Sequence, residues 1–366
     1  MSDPYRLAFL VTNIVLLLTP QRANAGIIFN FTNGTDLAAL QGTDPTTYNS
    51  VRNGFQEAAS IFSSRLNDNV TLNVAINYKT LGSGILGSTS NVSAVASYAD
   101  VRNALISDAT TTTDATAVAN LQSTSGLDFV SQSSNATVRS NLTDNWSRFL
   151  DVSRSNLKAL GLLAATDGGA GSEGTIEFSS SFSWDFNRTD GITGSQFDFV
   201  GVAAHEIGHL LGFTSGVDSV DFFAATLNLT PFAVFNTLDL FRYSATSLGL
   251  SGQPTTGRVL DLKPGGTPYF SLNSGTTNLG LFSTGSTNGD GRQASHWKDN
   301  LNLGLLDPTL APGEPGILSD LDIVAFDAIG WNAISATAVP EPSSLLIVLF
   351  AAAPVAFSRR NRKVAE

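Results

Sequence analysis

The stretch VGVAAHEIGHLLGFTSGVD, residues 200–218, holds His205 and His209 four positions apart, with Glu206 directly after the first. On an α-helix, side chains four positions apart lie on the same face, one turn from each other. Both imidazoles can therefore reach one metal ion, whereas Glu206 projects to the side, where a carboxylate can act as a base. Gly212 follows the apolar run and predicts the end of the helix. The stretch predicts a buried helix that carries two zinc ligands and a general base.

A zinc site of this kind needs a third protein ligand. The commonest longer form of the motif has that ligand at the third position after the glycine, where this chain has Ser215. A serine hydroxyl is a poor zinc ligand because it is hard to deprotonate. The chain has 3 histidines, and the remaining one is His296, in GRQASHWKDN. We expect His296 to complete the site, and the competing hypothesis is Asp218, a carboxylate that follows the helix.

Composition limits the class of protein. The 366 residues are 42% hydrophobic and 14% charged, which is enough apolar material for one large domain or two closely packed lobes. The net charge of -11 argues against a nucleic-acid partner, because phosphate binding needs clustered Lys and Arg. Since the chain has no cysteine, neither a disulfide nor a thiolate bound to the zinc can take part in stability or latency.

The start of the chain has the features of an export signal. Arg6 precedes a long apolar run, and the small residues ANA at 23–25 are suited to signal peptidase. We therefore expect a signal peptide over residues 1–25 and a zinc metallopeptidase domain over residues 26–338.

The end of the chain, residues 339–366, combines Pro-Glu-Pro, an apolar run at 345–357 and a basic terminus. The apolar run is shorter than the ~20 residues that span a bilayer comfortably, and the basic residues would remain in the cytoplasm. The combination resembles the PEP-CTERM sorting signal of bacterial exported proteins. The resemblance implies transient membrane insertion, then processing by an exosortase-type enzyme. We expect the catalytic part in the cell envelope or outside the cell.

Hydrophobic periodicity predicts an α+β fold. Strands are expected at residues 26–31, 70–78 and 175–186, and helices at residues 48–66 and near 98–109. This order predicts a twisted mixed sheet with helices packed on it, in an upper lobe of about residues 26–213 that ends with the site helix. The lower lobe, about residues 214–333, is expected to be irregular and to end in a helix between Ser319 as N-cap and Gly330.

HEIGHLLGF at 205–213, then a long insertion and SHW at 295–297, resemble the leishmanolysin-type branch of the metzincin peptidases. In that branch an inserted segment displaces the third histidine from the motif. The resemblance extends over about residues 175–331 and is closer still to a bacterial group of PEP-CTERM-tagged, metzincin-like peptidases. It implies a metzincin-like zincin fold with one catalytic zinc. Metzincins have a methionine below the zinc, and Leu306 stands at the matching position, where we expect the same apolar floor.

The interpretation is an exported zinc metalloendopeptidase that acts on protein or peptide substrates. His205, His209 and His296 would bind zinc, and Glu206 would take a proton from the zinc-bound water and deliver it to the leaving amine. Such enzymes often hold the peptide as an extra strand at a sheet edge, for which residues 175–180 are the candidate.

Two other function classes stay open. One is a zincin-fold surface or biofilm-matrix protein that does not cleave, and the other is a zinc hydrolase of a non-peptide amide or ester. The intact Glu206 favours an enzyme, because a binding module does not need it. A long cleft would favour peptides, whereas a closed pocket would favour a small substrate. Calcium is weakly indicated at residues 288–292 and 167–174, where plain turns are the better interpretation.

Overall fold

A computed structural model describes residues 26–123, 125–131, 144–168, 171–223, 226–250 and 258–334. The predicted signal peptide, residues 1–25, and the predicted sorting segment, residues 339–366 with the apolar run 345–357, lie outside the described residues. Within the part that is described, no helix is both long and apolar enough to cross a membrane.

The elements follow one another along the chain in a mixed order. The strands are β1 (Ile28–Asn33), β2 (Thr71–Lys79), β3 (Gly87–Asn91), β4 (Ser93–Ser97), β5 (Phe129–Val130), β6 (Phe149–Ser153), β7 (Gly174–Ser179), β8 (Trp184–Asp185), β9 (Phe197–Asp198), β10 (Arg242–Tyr243), β11 (Leu260–Asp261), β12 (Tyr269–Phe270) and β13 (Gly280–Leu281). The α-helices are α1 (Thr35–Thr43), α2 (Pro45–Ser63), α3 (Tyr98–Asp108), α4 (Thr112–Ala119), α5 (Asn145–Arg148), α6 (Arg154–Ala159), α7 (Phe199–Leu210), α8 (Val217–Phe223), α9 (Ala245–Leu248) and α10 (Asp320–Ala328). Short 3-10 turns occupy Arg188–Asp190 and Thr237–Phe241.

The central sheet has four strands in the order β1-β2-β7-β3. Strand β2 pairs in parallel with both β1 and β7, whereas β3 runs antiparallel to β7. Alternate residues of β2, Leu72, Val74 and Ile76, are fully buried, as their apolar alternation predicts. The predicted mixed sheet is therefore present.

The predicted edge of the sheet at residues 175–180 is wrong. Strand β7 lies between β2 and β3, and the edge strand next to it is β3. The sequence of β3, GSTSN, contains no apolar alternation, so it gives no strand signal by itself. Pairing with β7 makes it a strand. The predicted strand at 175–186 is also too long, because β7 ends at Ser179 and Trp184–Asp185 pairs with β9 instead.

Helix α2 packs against α7 and holds it near the sheet. Asp44 caps α2 by accepting the Thr47 N–H at 3.1 Å, and Pro45 occupies the first turn, where no intrahelical donor is needed. The helices approach closely at Gly54, where a Cβ atom would lie 2.4 Å from the Phe199 ring. Only glycine allows this approach, so the packing fixes the start of α7.

The last helix begins and ends where the sequence predicts. Ser319 and Asp322 form a reciprocal capping box at the start of α10, and Gly330 follows its end with a φ of 99°. The described residues from Gly26 to Ala333 belong to one compact unit. Its division into an upper and a lower lobe near residue 213 stays a prediction.

Candidate metal centre and active site

Helix α7 carries the histidine motif and is capped at both ends. Asp198 accepts the Gly201 N–H at 2.9 Å at the N-terminus, and Gly212 follows the C-terminus with a φ of 108°. Five apolar residues in and around the motif are fully buried: Val200, Ala203, Ala204, Ile207 and Leu210. Burial of this face leaves His205 and His209 as partly exposed side chains on the opposite face.

The structure brings together all three histidines of the chain. The Nε2 atoms of His205 and His209 are 3.0 Å apart, and the Nε2 atom of His296 is 3.2 Å from the first and 3.1 Å from the second. Among the residues that the structure describes, this is the one group of three or more His, Cys, Asp or Glu side chains with metal-site spacing. Residues far apart in the chain thus converge on one point.

The other ring nitrogen of each histidine faces a main-chain carbonyl. The acceptors are the carbonyl oxygens of Leu305 for His205 at 2.9 Å, of Phe213 for His209 at 2.8 Å and of Gln293 for His296 at 3.2 Å. A carbonyl only accepts hydrogen bonds, so each Nδ1 carries a proton, and a neutral ring in this tautomer presents a lone pair at Nε2. Three lone pairs that face one another cannot hydrogen-bond together, but they can share one cation.

The donor set fits zinc. Zn–N bonds of about 2.0–2.1 Å in tetrahedral geometry separate the nitrogens by about 3.3 Å, close to the observed spacing. Burial, reinforced by the neighbouring His205, lowers the pKa of His209 to about 3. Burial and the two other histidines lower the pKa of His296 well below its usual value. Both rings are therefore neutral, as metal ligands must be, at ordinary pH.

The two alternative third ligands lie elsewhere. Ser215 is buried, and its hydroxyl donates to Asp239 at 2.6 Å. The Asp218 carboxylate accepts the Ala294 N–H at 2.6 Å and the Ser295 hydroxyl at 2.5 Å, so it contacts the residues just before His296. Among these candidates only the histidine has its donor atom in the triangle of nitrogens.

Glu206 is buried beside the histidines, and the edge strand holds its carboxylate. The Thr89 hydroxyl lies 2.7 Å from Glu206 Oε2 and 2.9 Å from the Glu206 carbonyl oxygen. A Cβ atom at Gly87 would lie 2.8 Å from Oε1, so glycine leaves the room that this oxygen occupies. Burial raises the pKa of Glu206, while the neighbouring His205 and the Thr89 hydrogen bond lower it in part. The carboxyl group is thus held beside the three imidazoles by contacts from the edge strand.

Leu306 packs against the helix that carries the two motif histidines. Its side chain is fully buried, and its methyl groups would lie 3.1 and 3.2 Å from a Cβ atom at Gly208. Gly208 stands between the two motif histidines on α7, which agrees with an apolar floor at this position, and the floor itself stays a prediction. The adjoining Leu305 carbonyl is the acceptor that orients His205.

A cleft of about 760 Å³ opens over this group. Its walls include four residues of β3, the three histidines and Glu206, together with parts of the segment between Asn302 and Ile317. The edge strand of the central sheet therefore lines the cleft beside the histidines.

Carboxylates in the two turns where calcium was weakly indicated have basic partners. Asp290, in 288–292, pairs with Lys298 Nζ at 2.6 Å. In 167–174, Asp167 pairs with Arg154 at 3.0 Å, and Glu173 pairs with the fully buried Lys158 at 2.7 Å. Since a cation would have to compete with these ammonium and guanidinium groups, the turn interpretation fits the described residues better.

The chain was compared with protein families, curated proteins and solved structures. Residues 96–232 match the family model of Matrixin. The matched segment contains α7 with His205, Glu206 and His209, and it ends before His296. No curated protein and no solved structure matches the chain. With the mixed α+β architecture, the match supports a metzincin-type zinc metallopeptidase and confirms the predicted metzincin-like zincin fold.

Sequence reasoning missed the residues that orient the site. Thr89 lies in a polar stretch without periodic signal, and the carbonyls of Leu305, Phe213 and Gln293 belong to irregular segments. Main-chain acceptors carry no residue-type signature, so no sequence pattern could have identified them. Asp218 did have a signal, its position after the motif, but that signal made it a competing ligand candidate and did not predict its contact with the residues before His296.

Proposed function

We propose that the chain is a zinc-dependent endopeptidase in which His205, His209 and His296 hold the metal and Glu206 is the general base. The observation that carries this proposal is the triangle of Nε2 atoms with Glu206 buried at its side. Zinc held by three neutral imidazoles supplies Lewis acidity, which polarises a carbonyl and makes water more acidic.

Glu206 and Thr89 then take part in the proton transfer. Glu206 accepts the proton of the attacking water and later donates it to the leaving amine. The Thr89 hydroxyl can donate to Glu206 Oε2 while that group is a carboxylate. When Glu206 carries a proton, the same hydroxyl can accept it in a hydrogen bond and donate to the Glu206 carbonyl. One side chain can therefore serve both protonation states of the base.

A peptide substrate fits the cleft better than a small amide or ester does. The edge of β3 offers backbone donors and acceptors along the cleft, and addition of a strand satisfies them without dependence on substrate sequence. We propose that the scissile bond lies over the histidines while the flanking residues extend along β3.

The test is casein cleavage by the purified protein, compared with Glu206→Gln and with a chelator-treated sample. We expect Glu206→Gln to retain zinc and to lose roughly 10²–10⁴-fold in kcat, and chelation to abolish cleavage until zinc is restored. If the unaltered protein bound zinc but cleaved nothing across a broad peptide library, the alternative of a non-cleaving zincin-fold matrix protein would replace this proposal.

Export is part of the proposal and is supported by residue patterns alone, the ANA site before Gly26 and the Pro-Glu-Pro segment. We propose signal peptidase and an exosortase-type enzyme as processing partners and the cell envelope or the outside of the cell as destination. Mass spectrometry of the protein recovered from the native host tests this. An uncleaved N-terminus in a cytoplasmic fraction would contradict it.

A further inference from the structure

His296 is carried by an irregular segment, residues 283–296, which we term the return loop. It belongs to no helix or strand, and its ends meet where the Ser283 N–H donates to the His296 carbonyl at 3.0 Å. Isolated β-bridges pair Gly285 with Arg292 inside the loop and Phe282 with Trp297 just outside it. These bridges hold the two halves of the loop together, and tertiary contacts to the residues beside His296 can add to them in setting its position.

Asp218 contacts the two residues that precede His296. It lies on α8, and its carboxylate accepts the Ala294 N–H at 2.6 Å, the Ser295 N–H at 3.1 Å and the Ser295 hydroxyl at 2.5 Å. The Ser295 hydroxyl in turn accepts the Ser215 N–H at 2.9 Å. The two residues before His296 are thus tied to the segment that directly follows α7, the helix of the other two histidines.

We propose that Asp218 is a positioning residue that sets His296 in the metal site without binding the metal itself. The inference rests on the proposed metal centre and adds the residue that assembles it. Hydrogen bonds to an ionised acceptor are about twice as strong as neutral ones, and three of them converge on one side chain. The inserted segment separates His296 from the motif in sequence. Asp218 lies near the beginning of this segment, and its hydrogen bonds connect the end of the segment to the residues that follow α7.

Asp221, one turn further on α8, provides an internal comparison. Its carboxylate accepts the Thr287 N–H and the Asn288 N–H, both at 2.7 Å, in the first half of the return loop. If the carboxylates only stabilised the loop as a whole, both would affect the metal site alike. If Asp218 positions His296, its effect on the site must exceed that of Asp221.

The experiment measures the Zn²⁺ affinity of the full chain by competition with a chromophoric chelator, for the unaltered protein, Asp218→Asn and Asp221→Asn. The asparagine amide places N–H donors against the Ala294 and Ser295 donors. We expect Asp218→Asn to weaken Zn²⁺ binding by about 10- to 100-fold, as loss of an outer contact to a ligand does. We expect Asp221→Asn to change it far less, because Asp221 contacts Thr287 and Asn288 and not the residues beside His296.

A double-mutant cycle shows whether Asp218 acts through His296. In a His296→Ala background, Asp218→Asn should produce no further loss of Zn²⁺ affinity. An equal loss in both backgrounds, or a smaller effect than that of Asp221→Asn, would overturn the proposal. The absorption spectrum of bound Co²⁺ adds a second readout, because a direct Asp218 ligand would alter the spectrum even without His296.

A milder variant covers the case in which Asp218→Asn does not fold. Ser295→Ala removes one of the three donors to Asp218 and leaves the carboxylate in place, and we expect a several-fold weaker Zn²⁺ affinity. Unchanged affinity in this variant would contradict the proposal. If the unaltered protein did not bind Zn²⁺, the metal centre itself would be refuted. That outcome is distinct from variants that bind Zn²⁺ as tightly as the unaltered protein, which would refute only the role of Asp218.

Discussion

At the scale of single residues, the edge strand β3 positions the candidate base, Glu206, as much as its own helix α7 does. Glu206 is buried, and without partners its carboxylate could adopt several rotamers towards the cleft. The Thr89 hydroxyl contacts Oε2, and the missing side chain of Gly87 leaves space for Oε1. The two carboxylate oxygens therefore have different surroundings, a hydroxyl at Oε2 and the space beside Gly87 at Oε1.

Replacement of Thr89 by valine removes the hydroxyl and keeps the shape. Since a hydrogen bond to a charged group contributes ~1.5–3 kcal/mol, we expect kcat to fall about tenfold or more, with KM and zinc content unchanged. Steady-state kinetics on a peptide substrate measures this. Thr89→Ser, which keeps the hydroxyl, should stay near the unaltered rate, and equal losses in the two variants would disprove the role.

Leu306 tests whether the floor of the site needs a methionine. Leu306→Met conserves volume, so we expect the free energy of unfolding to change by less than ~1.5 kcal/mol, with activity retained. Leu306→Ala leaves a cavity beneath α7 and should cost ~2–5 kcal/mol. Chemical denaturation of the metal-free protein gives both values. A methionine variant as damaged as the alanine variant would mean that leucine is specifically required.

At the scale of elements, one carboxylate of α10 connects this helix to the candidate metal centre. Asp322 accepts the Ser319 N–H at 2.7 Å within the capping box, the Leu305 N–H at 2.8 Å and the Trp297 indole N–H at 2.7 Å. Leu305 orients His205, and Trp297 adjoins His296. The start of one helix is therefore connected to two of the three histidines.

Replacement of the two residues of this capping box should lower the free energy of unfolding by different amounts. Ser319→Ala removes a cap and should reduce the free energy of unfolding by ~1 kcal/mol. Asp322→Ala leaves three donors without an acceptor, two of them outside the helix, so we expect a loss at least twice as large and weaker zinc binding. Thermal denaturation with and without zinc distinguishes the effects. Equal losses would mean that Asp322 acts only as a helix cap.

At the scale of the whole molecule, carboxyl groups cluster where α3, α4 and α10 meet the segment that ends at Ala333. Asn332 donates to Asp68 at 2.9 Å and to Asp108 at 3.3 Å. Burial raises the pKa of Asp68 to about 6 and that of Asp108 to about 6, and the nearby charge of Asp327 adds to both effects. Asp114 also raises the pKa of Asp108. The folded protein thus retains protons that the unfolded chain releases near pH 3.8.

These shifts predict how stability depends on pH. Between about pH 4 and pH 6 the folded state binds more protons than the unfolded state, so these groups make the free energy of unfolding fall as pH rises. We expect Asp108→Asn to flatten this slope relative to the unaltered protein. The measurement is urea denaturation in the presence of a chelator, which removes the pH dependence of metal binding. The histidines titrate in both proteins, so their contribution to the slope cancels when the variant is compared with the unaltered protein.

Asp44→Asn is the matched control for this prediction. Hydrogen bonds from Thr47 lower the pKa of Asp44, so its contribution to stability is present above the unfolded pKa and is lost only at lower pH. The slope between about pH 4 and pH 6 should therefore match that of the unaltered protein. An unchanged slope in Asp108→Asn would show that burial does not hold these protons.

Much of the site was determined by the sequence alone. Helical spacing places His205 and His209 on one face with Glu206 beside them, and a histidine count left His296 as the one imidazole to complete the set. The first strands, the long α2 and the capped α10 were likewise predicted, because periodic apolar residues and caps act locally. These features depend on contacts within one or two turns, which residue spacing encodes directly.

Only the tertiary structure decided which atoms surround the site residues. That β3 forms the edge depends on its pairing with β7, and its polar sequence carries no sign of this. Thr89 meets Glu206, and Asp218 meets the residues before His296, only because segments far apart in the chain fold together. Main-chain carbonyls orient the three imidazoles, and a carbonyl has the same chemistry at every residue. Sequence spacing thus specifies which side chains can form the site, whereas long-range packing specifies which atoms hold them in place.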